Sequence, residues 1–408
     1  MRIVWLANYP FLRLEPHLGM RRSIDGHPSS WVVNLAAALS RRTEIELHIV
    51  TVCPFVRRPK AFGMGDVAFH VLPSGVPFSD RGYPWYLPLD VACGFRGDRR
   101  RLVRAIEDIA PDIVHAFGTE GPYALAALDS SRPHMIHIQG VVAECRKAEP
   151  SLRFRLAERC EKRAIRQGKW FSCRTAFDAG YVLSLNRTAW IANIQEAVHE
   201  TFFHVHWDPR DDNSLLFVGA MKRRKGIEDL LTAVHLLKRQ SRLVHLRMVG
   251  SGTARYQTLL RRRCRQLGIY DCVQFLGHRS SEEIARLHEQ SQAFVLPSHA
   301  ENSPNSVAEA MVAGVPVIAS RVGGIPSMIR HLENGFLVEP KNPAALAQAI
   351  DRLLGDAAMR KRLSANARSV ARVRHDAESI VRDTVAAYEQ IACVHVAQPR
   401  QAAVPHAI

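Results

Sequence analysis

The chain has few acidic residues for its number of basic ones. Against 55 Lys and Arg stand 39 Asp and Glu, which gives a formal net charge of +16 over 408 residues. Such a charge suits nucleic acid, an anionic membrane surface or phosphorylated substrates. The basic runs are scattered and belong to no visible nucleic-acid-binding module, so we do not expect nucleic acid as a partner. Solvated helix faces account for most of these runs, and contact with an anionic membrane surface is the alternative.

The chain also lacks long apolar segments and paired cysteines. No stretch of 18 apolar residues occurs, and the apolar run after Met1 is too short for a signal peptide. The eight cysteines are widely spaced, without a C-x-x-C pair or a metal-ligand cluster. This spacing is typical of free thiols in a reducing compartment. We therefore predict a cytoplasmic protein, for which a peripheral position on the inner face of the membrane is compatible with the charge.

The length and the order of apolar segments predict two domains. A chain of 408 residues exceeds one ordinary core. Short strand-like runs alternate with amphipathic helices, which is the pattern of a parallel sheet wrapped by helices. The pattern stops and restarts once, so we predict a domain over residues 1–196, a linker over 197–213 and a second domain over 214–375. We expect a helix over 376–393 to pack back on the first domain and a disordered tail over 394–408.

These features define an α/β fold class with two Rossmann-like domains that face each other across a cleft. In such sheets, ligands bind outside the carboxyl ends of the strands. We therefore expect the site residues to lie where the predicted strands end.

Two glutamates with seven residues between them carry the strongest functional signal. Glu301 and Glu309 flank the start of a predicted helix that follows a strand-like run over 293–297. Ser303-Pro304 predicts an N-cap followed by proline at the first helical position. A helix N-terminus at the carboxyl end of a strand suits phosphate oxygens. Hydrogen-bond acceptors on both sides of such an anion site suit a diphosphate with hydroxyl groups at both ends, as in a nucleotide-sugar.

From Phe217 to Ile350 the chain resembles the nucleotide-binding domain of glycosyltransferase family 4. The members of this family are retaining enzymes of the GT-B fold, and an E-x7-E motif lies at the place of Glu301 and Glu309. The resemblance implies the GT-B architecture, with a nucleotide-sugar donor bound at the second domain.

The resemblance also implies individual roles around this motif. Glu301 meets the hydroxyl groups of the donor sugar and is a catalytic candidate, and Glu309 meets the ribose of the nucleotide. The backbone N–H groups near Asn305, Ser306 and Val307 hold the diphosphate.

A second group of candidates is basic and follows the first strand of the second domain. The strand ends at Gly219, and a dense positive run over 222–225 follows it. Positive charge at this point would neutralise the leaving diphosphate. The family places an arginine directly after the strand glycine and a lysine five residues later, which Lys225 matches. Ala220 occupies the arginine position, so the basic side chains at 222–224, Arg224 among them, would have to supply the missing positive charge.

Other candidate binding residues lie in turns after later strands. Gly250-Ser-Gly252 and Gly277 resemble the family's turns on the nucleotide side, and Arg279 lies beside the second turn. A plain tight turn is the alternative for each of them.

The first domain is expected to supply the acceptor side. The loop between Asn8 and Ser29 is long for a compact domain, which is typical of functional or disordered loops. In this loop Gly26 occupies the place of the first glycine of the family's pair, and His27 replaces the second. His115 matches a family histidine near the reacting sugar and is a catalytic candidate, with a structural role in its strand as the alternative.

The predicted function is the retaining transfer of a hexose-type sugar from a nucleotide diphosphate sugar to an acceptor hydroxyl. The acceptor would be a glycan, a glycolipid or a small molecule in cell-surface glycan, glycolipid or polysaccharide synthesis. No Asp-x-Asp motif occurs, so we expect no metal, and no cofactor apart from the donor as co-substrate. A nucleotide-sugar epimerase of the same architecture is one alternative. A catalytically inactive nucleotide-sugar-binding subunit is another, which Ala220 and His27 keep open.

Overall fold

The computed structural model describes residues 1–19, 30–74, 88–209 and 211–397. Gly26 and His27, which were predicted to border the diphosphate, lie outside the described residues. The described strands form an eight-stranded sheet in the first part of the chain and a six-stranded sheet in the second.

The strands of the first sheet are β1 (Arg2–Leu6), β2 (Glu46–Cys53), β3 (Lys60–Met64), β4 (Val67–Pro73), β5 (Ile113–Phe117), β6 (His134–His137), β7 (Trp170–Cys173) and β8 (Trp190–Asn193). They are arranged in the order β3-β4-β2-β1-β5-β6-β7-β8. All neighbours pair in parallel except β3, which is antiparallel to β4. The central strand β1 places Trp5 beside Ile49 on one side and His115 on the other. Its apolar residues are buried on both faces, as expected when helices cover a parallel sheet.

The helices of this domain are α1 (Phe11–Leu18), α2 (Ser30–Leu39), α3 (Leu89–Ala92), α4 (Arg96–Ile109), α5 (Tyr123–Asp129), α6 (Val142–Ala148), α7 (Leu152–Gln167) and α8 (Ala176–Leu185). Local sequence explains the start of two of them. The Ser151 side chain accepts a hydrogen bond from the N–H of Phe154 and caps α7. Thr175 and Asp178 form a capping box at the start of α8.

The second sheet consists of β9 (Ser214–Val218), β10 (His245–Val249), β11 (Val273–Gly277), β12 (Ala293–Leu296), β13 (Val317–Ser320) and β14 (Phe336–Val338). Its order is β11-β10-β9-β12-β13-β14, and every pair is parallel. The accompanying helices are α9 (Ile227–Arg239), α10 (Ala254–Gln266), α11 (Ser281–Glu289), α12 (Asn305–Ala313), α13 (Pro343–Gly355) and α14 (Ala357–Arg374). Because β9 and β12 are neighbours, the loops that follow them meet at one edge of the sheet.

The last helix, α15 (Ala377–Ala397), returns to the first domain. Ile380, Val381 and Tyr388 are buried in the core that surrounds β1, and Val394 packs against the same core. The tail predicted over 394–408 overlaps the end of this helix, which runs to Ala397, and residues from 398 onward lie outside the described part of the chain.

The segment predicted as a linker over 197–213 is packed onto the second domain. Residues Glu200–His204 form a 3-10 helix, and Phe202 and Val205 are buried in the core of that domain. The indole N–H of Trp207 donates to the carbonyl of Ser291 at 2.8 Å. The segment has no regular apolar periodicity, as the sequence indicates. Its apolar residues nevertheless anchor it to the second domain.

The strands that the sequence pattern missed, β3 and β8, lie at the two edges of the first sheet. None of the residues of β3 is buried, and three of the four residues of β8 are at least partly exposed. β3 is interrupted by Lys60 and Gly63 and has no buried residue, and β8 is only four residues long with one of them buried, so neither forms a clear buried or alternating run in the sequence.

Candidate functional site

The candidate site is built around the N-terminus of α12, as the sequence predicts, but the helix begins differently. Its N-cap residue is Pro304, with φ −73° and ψ 118°, and no side chain caps the helix. Ser303 was expected to be the cap. Its hydroxyl instead donates to the carboxylate of Glu196, with oxygen–oxygen distances of 2.7 and 2.8 Å. A buried acid from the segment between the two sheets has therefore displaced the local capping preference.

The uncapped start leaves backbone donors available. Among the described residues, no acceptor is found for the backbone N–H groups of Asn305 and Ser306. The N–H of Val307 was predicted to be a third phosphate donor, but it donates to the carbonyl of Pro304 at 2.9 Å. That prediction is corrected to two free donors, because the first turn of the helix closes on Pro304. The side-chain amide of Asn305 donates to the Ser30 hydroxyl at 3.0 Å, which ties this helix start to α2 of the first domain.

Glu301 forms a buried ion pair with Lys225. The Lys225 ammonium donates to Oε1 of Glu301, and the Ser298 hydroxyl donates to the same oxygen at 2.8 Å. Burial by itself would raise the pKa of Glu301, but the positive charges of Lys225 and Arg224 outweigh it and hold the pKa below its ordinary value. The carboxylate is therefore ionised at neutral pH. The two predicted catalytic residues of this domain meet in space, although 76 positions separate them in the chain.

Glu309 lies within α12, and its pKa is shifted in the direction opposite to that of Glu301. It is buried, with 9% of its surface exposed, and none of the described residues hydrogen-bonds its carboxyl group. Burial raises its pKa to about 8. Without a ligand, Glu309 is thus mostly protonated at neutral pH, whereas Glu301 is not.

The basic run after β9 forms a short 3-10 helix, Arg223–Lys225, that ends at Gly226. The Glu149 side chain of the first domain reaches this loop, where its carboxylate accepts a hydrogen bond from the backbone N–H of Arg224 at 3.1 Å. The pKa of Lys222 is lowered, first by partial desolvation and then by the charge of Arg224. Position 220 is an exposed alanine and carries no charge. The positive charge of this loop therefore comes from residues 222–225.

The loop over 223–226 requires glycine at position 226. Its φ is +65°, and a Cβ atom added there would lie 1.8 Å from the carbonyl oxygen of Pro297. The loop that carries Lys225 is therefore pressed against the loop that leads to Glu301. Only glycine permits this approach.

Two of the glycines predicted on the nucleotide side, Gly250 and Gly252, lie where close packing of the backbone leaves no room for a side chain. A Cβ atom on Gly250 would lie 2.0 Å from the carbonyl oxygen of Gly219, and one on Gly252 would lie 2.5 Å from that of Met221. These glycines hold the loops after β9 and β10 together. Gly277 has φ +71° and open space at its Cβ position. Arg279 donates to the carbonyl of its neighbour His278 at 2.8 Å and lies 3.5 Å from Glu283.

His115 is placed in the interior of the first domain. Its Nδ1 lies 2.7 Å from the Tyr388 hydroxyl and its Nε2 lies 3.1 Å from the Ser172 hydroxyl. Burial lowers its pKa to about 3. Both ring nitrogens are occupied by protein groups, so this geometry favours the structural alternative for His115 over a catalytic role.

Three polar residues that follow β7, namely Arg174, Thr175 and Asp178, join the two domains beside Glu301. Asn302 is within hydrogen-bond distance of Thr175 Oγ1 and Asp178 Oδ2, both at 3.0 Å. The Arg174 guanidinium donates to the carbonyl oxygens of Gln139 at 2.9 Å and Ser303 at 3.4 Å.

Glu149 and Glu196 also belong to this boundary, and sequence reasoning did not select either. Both lie in segments without a motif, and only their positions in space connect them with the site.

Glu120 lies at the carboxyl end of the first sheet, after β5. Glu120 is exposed to solvent, but protein atoms close to its carboxyl group raise its pKa to about 7 by desolvation, with the Glu161 carboxylate adding to the effect. Among the described residues, no group of three or more His, Cys, Asp and Glu side chains is arranged to hold a metal ion. In the part of the chain that the structure describes, no helix has the length and apolarity to cross a bilayer.

The architecture is that of the GT-B fold, which confirms the predicted fold class. A sucrose-phosphate synthase from Thermosynechococcus elongatus superposes with a TM-score of 0.79 at 19% identity, covering 98% of this chain and 100% of that one. The Anabaena protein HepE in complex with UDP-glucose gives a TM-score of 0.69 at 18% identity, again over 98% and 100% of the two chains. At such identities the likeness establishes the fold alone.

In sequence, the second domain is similar to glycosyltransferases. Residues 199–370 match the family described as Glycosyl transferases group 1. A segment of 180 residues is 36% identical to an uncharacterized glycosyltransferase from Methanocaldococcus jannaschii. That similarity covers 44% of this chain and 45% of the relative, so the chain matches less than half of the relative's length. The matched family region contains every site residue predicted in the second domain.

Proposed function

We propose that this protein is a retaining glycosyltransferase that moves a hexose-type sugar from a nucleotide diphosphate sugar to an acceptor hydroxyl. One observation carries the proposal: an ionised acid and a lysine, Glu301 and Lys225, are paired beside a helix N-terminus that has two free N–H groups. The likeness of this region to glycosyltransferases supports it.

In this proposal the donor separates the ion pair and uses both halves. The diphosphate takes the Lys225 ammonium and the N–H groups of Asn305 and Ser306, which stabilise the negative charge that develops as it leaves. The freed carboxylate of Glu301 accepts hydrogen bonds from sugar hydroxyls. Glu309, farther along α12, is the acceptor for the ribose. Arg224 lies beside Glu301 and strengthens the positive field.

The reaction proceeds on one face of the sugar. The bond from the anomeric carbon to the diphosphate breaks, and a bond from that carbon to the acceptor oxygen forms. The acceptor proton passes to the departing phosphate oxygen, so atoms and charge balance without a protein base. Cations and helix N–H groups supply the charge stabilisation, and we therefore propose that no metal is needed. Enclosure by the two domains excludes water, which would otherwise hydrolyse the donor.

The acceptor approaches from the first domain. We place it near Glu120 and the carboxyl ends of β5 and β6, which lie across from the second domain. An acceptor glycan or glycolipid at an anionic membrane surface fits the basic face of α7, where Arg155, Arg159, Arg163 and Arg166 are exposed at helical spacing.

A nucleotide-sugar screen tests the function. We expect one class of UDP-, GDP- or ADP-sugar to raise the melting temperature, and that donor to be consumed when a panel of acceptor sugars and lipids is added. Glu301→Ala should abolish transfer, while Glu333→Ala, which removes an exposed acid of the same domain, should not.

The other outcomes of this screen identify the rival functions. Conversion of the donor sugar without any acceptor would indicate an epimerase. Donor binding with neither transfer nor hydrolysis would indicate an inactive binding subunit. Absence of any nucleotide-sugar effect on melting would exclude all three functions.

A further inference from the structure

The contact between Ser303 and Glu196 lies directly before the helix that holds the proposed diphosphate site. Both side chains are buried, with 6% of Ser303 and 1% of Glu196 exposed. Glu196 follows β8 in the segment between the two sheets, and 107 positions separate it from Ser303. A buried carboxylate must be hydrogen-bonded to be tolerated, so this contact is strongly held.

Local chemistry favours a different state of the same segment. Serine is among the best N-cap residues, and proline is favoured at the position that follows a cap. With Ser303 as the cap, Pro304 would be helical and the Ser303 oxygen would accept from one of the first backbone N–H groups of α12. The observed ψ of 118° at Pro304 shows that the helix has not started there.

Glu196 is held in a position that prevents this alternative. The Arg174 guanidinium lies 3.7 Å from its carboxylate, and its backbone carbonyl lies 3.0 Å from Nδ1 of His375. Arg174 also donates to the carbonyl of Ser303, so one cation fixes both partners. The result is a helix N-terminus whose first two N–H groups have no acceptor among the described residues.

We propose that Glu196 is a positioning residue for the donor. By retaining the Ser303 hydroxyl, it keeps α12 uncapped, so that the N–H groups of Asn305 and Ser306 remain open to a nucleoside diphosphate. This inference rests on the proposed function, because it assigns the ligand of that same site. Glu196 itself acts only through Ser303.

Four proteins test the proposal, with binding of UDP, GDP and ADP measured by calorimetry and the tightest of the three used throughout. In Glu196→Ala the released Ser303 hydroxyl caps α12 and competes with the diphosphate. We expect about fivefold weaker binding, the factor that corresponds to an N-cap of about 1 kcal/mol. Ser303→Ala alone should bind within twofold of wild type. The double variant Glu196→Ala/Ser303→Ala should regain most of the lost affinity, since no hydroxyl remains to compete.

The double variant decides between positioning and a simple structural brace. If it binds as weakly as Glu196→Ala, Glu196 does not act through Ser303 and the inference is overturned. Glu200→Ala, which removes an exposed acid of the same segment, should leave binding unchanged. Should Glu196→Ala fail to fold, Glu196→Gln with and without Ser303→Ala gives the same comparison with a smaller loss, because a neutral acceptor holds the hydroxyl less strongly. If wild-type protein binds none of the three nucleotides, the proposed function fails instead.

Discussion

The Lys225 ammonium and the Glu301 carboxylate form an ion pair that joins the loop after β9 to the loop after β12. Only 11% of the Lys225 side chain and 8% of the Glu301 side chain are exposed. Each charge is therefore stabilised mainly by the other, and a ligand that takes one of them must also satisfy the second. In the proposed function a nucleotide-sugar would do so, with phosphates for the lysine and hydroxyl groups for the carboxylate.

Removal of the lysine should destabilise the protein as well as inactivate it. Lys225→Met leaves a buried carboxylate without its cation, and we expect the free energy of unfolding at pH 8 to fall by about 3 kcal/mol. Urea denaturation measures the loss. Lys222→Met removes an exposed lysine of the same loop and should change stability by less than about 0.5 kcal/mol. In Lys225→Met/Glu301→Gln the loss should be smaller than in Lys225→Met, and a strictly additive result would contradict the pairing.

Glu309 predicts a specific pH dependence of stability. Its pKa is about 8 in the folded protein, against an ordinary value of 4.5. Between these pH values the folded chain holds a proton that the unfolded chain has lost, so this group makes stability fall as pH rises through that window, by at most about 1.4 kcal/mol per pH unit.

Glu309→Gln should abolish this contribution. The variant should be more stable than wild type by a few kcal/mol near pH 8.5, and the difference should shrink toward pH 4.5. Urea denaturation at a series of pH values checks it, with the exposed Glu333→Gln as the control that leaves the slope unchanged. Parallel curves for wild type and Glu309→Gln would show that the acid is not protonated in the folded state.

Tyr388 should anchor α15 to the first domain. Its hydroxyl lies 2.9 Å from the indole nitrogen of Trp5 and 2.7 Å from Nδ1 of His115. Tyr388→Phe leaves both buried groups without this partner, and we expect a loss of about 1–3 kcal/mol in urea denaturation. Tyr270→Phe, at a residue with 44% of its surface exposed, should have little effect. Donor affinity should be retained in Tyr388→Phe, because the change lies in the interior of the first domain.

Gly226 should be intolerant of a side chain for steric reasons beyond its backbone angle. Gly226→Ala places Cβ 1.8 Å from a carbonyl oxygen, whereas Gly268 has nearly the same φ, +64°, with no atom within 4 Å of that position. Gly268→Ala should therefore cost about 1–2 kcal/mol, the strain of the left-handed region alone. Gly226→Ala should cost more and should also weaken donor binding, since it displaces Lys225. Equal thermal shifts in the two variants would argue against the close contact.

The basic face of α7 should bind anionic membranes. Arg155, Arg159 and Arg163 form no ion pair with any described residue. We expect co-sedimentation with vesicles that contain 30% anionic phospholipid, weakened by salt and lost from the variant with all three arginines changed to Gln, because each base near the surface contributes about 1 kcal/mol. A matched change of Arg261, Arg262 and Arg263 on α10 should have a smaller effect, and equal losses would indicate unspecific attraction by the net charge.

Much of the fold follows from local pattern. Runs such as Ile113–Phe117 and Trp170–Cys173 are buried along their whole length and appear in the sequence as short, mainly apolar segments. The edge strands β3 and β8 have a weaker signal, because β3 has no buried residue and β8 is short and mostly exposed. The anchoring of residues 200–205 was also missed, since an irregular segment packs without periodicity.

The candidate site likewise has features that the sequence indicated and contacts that it did not. The spacing of Glu301 and Glu309 around a helix start and the basic run that ends at Lys225 were visible in the sequence, because they depend on residues close together in the chain. The glycines at 250 and 252 could be recognised as a turn, but their contacts with the loop after β9 could not.

The sequence by itself determined the two α/β arrays, the acidic pair and the basic loop, since each depends on local propensity and periodicity. Only the tertiary structure decided that Ser303 leaves α12 uncapped, that Lys225 pairs with Glu301 and that His115 lies in the interior. In each case a distant residue offers a buried partner whose hydrogen bond or charge outweighs the local preference. Such partners are chosen by the packing of the whole chain, and no short stretch of sequence contains them.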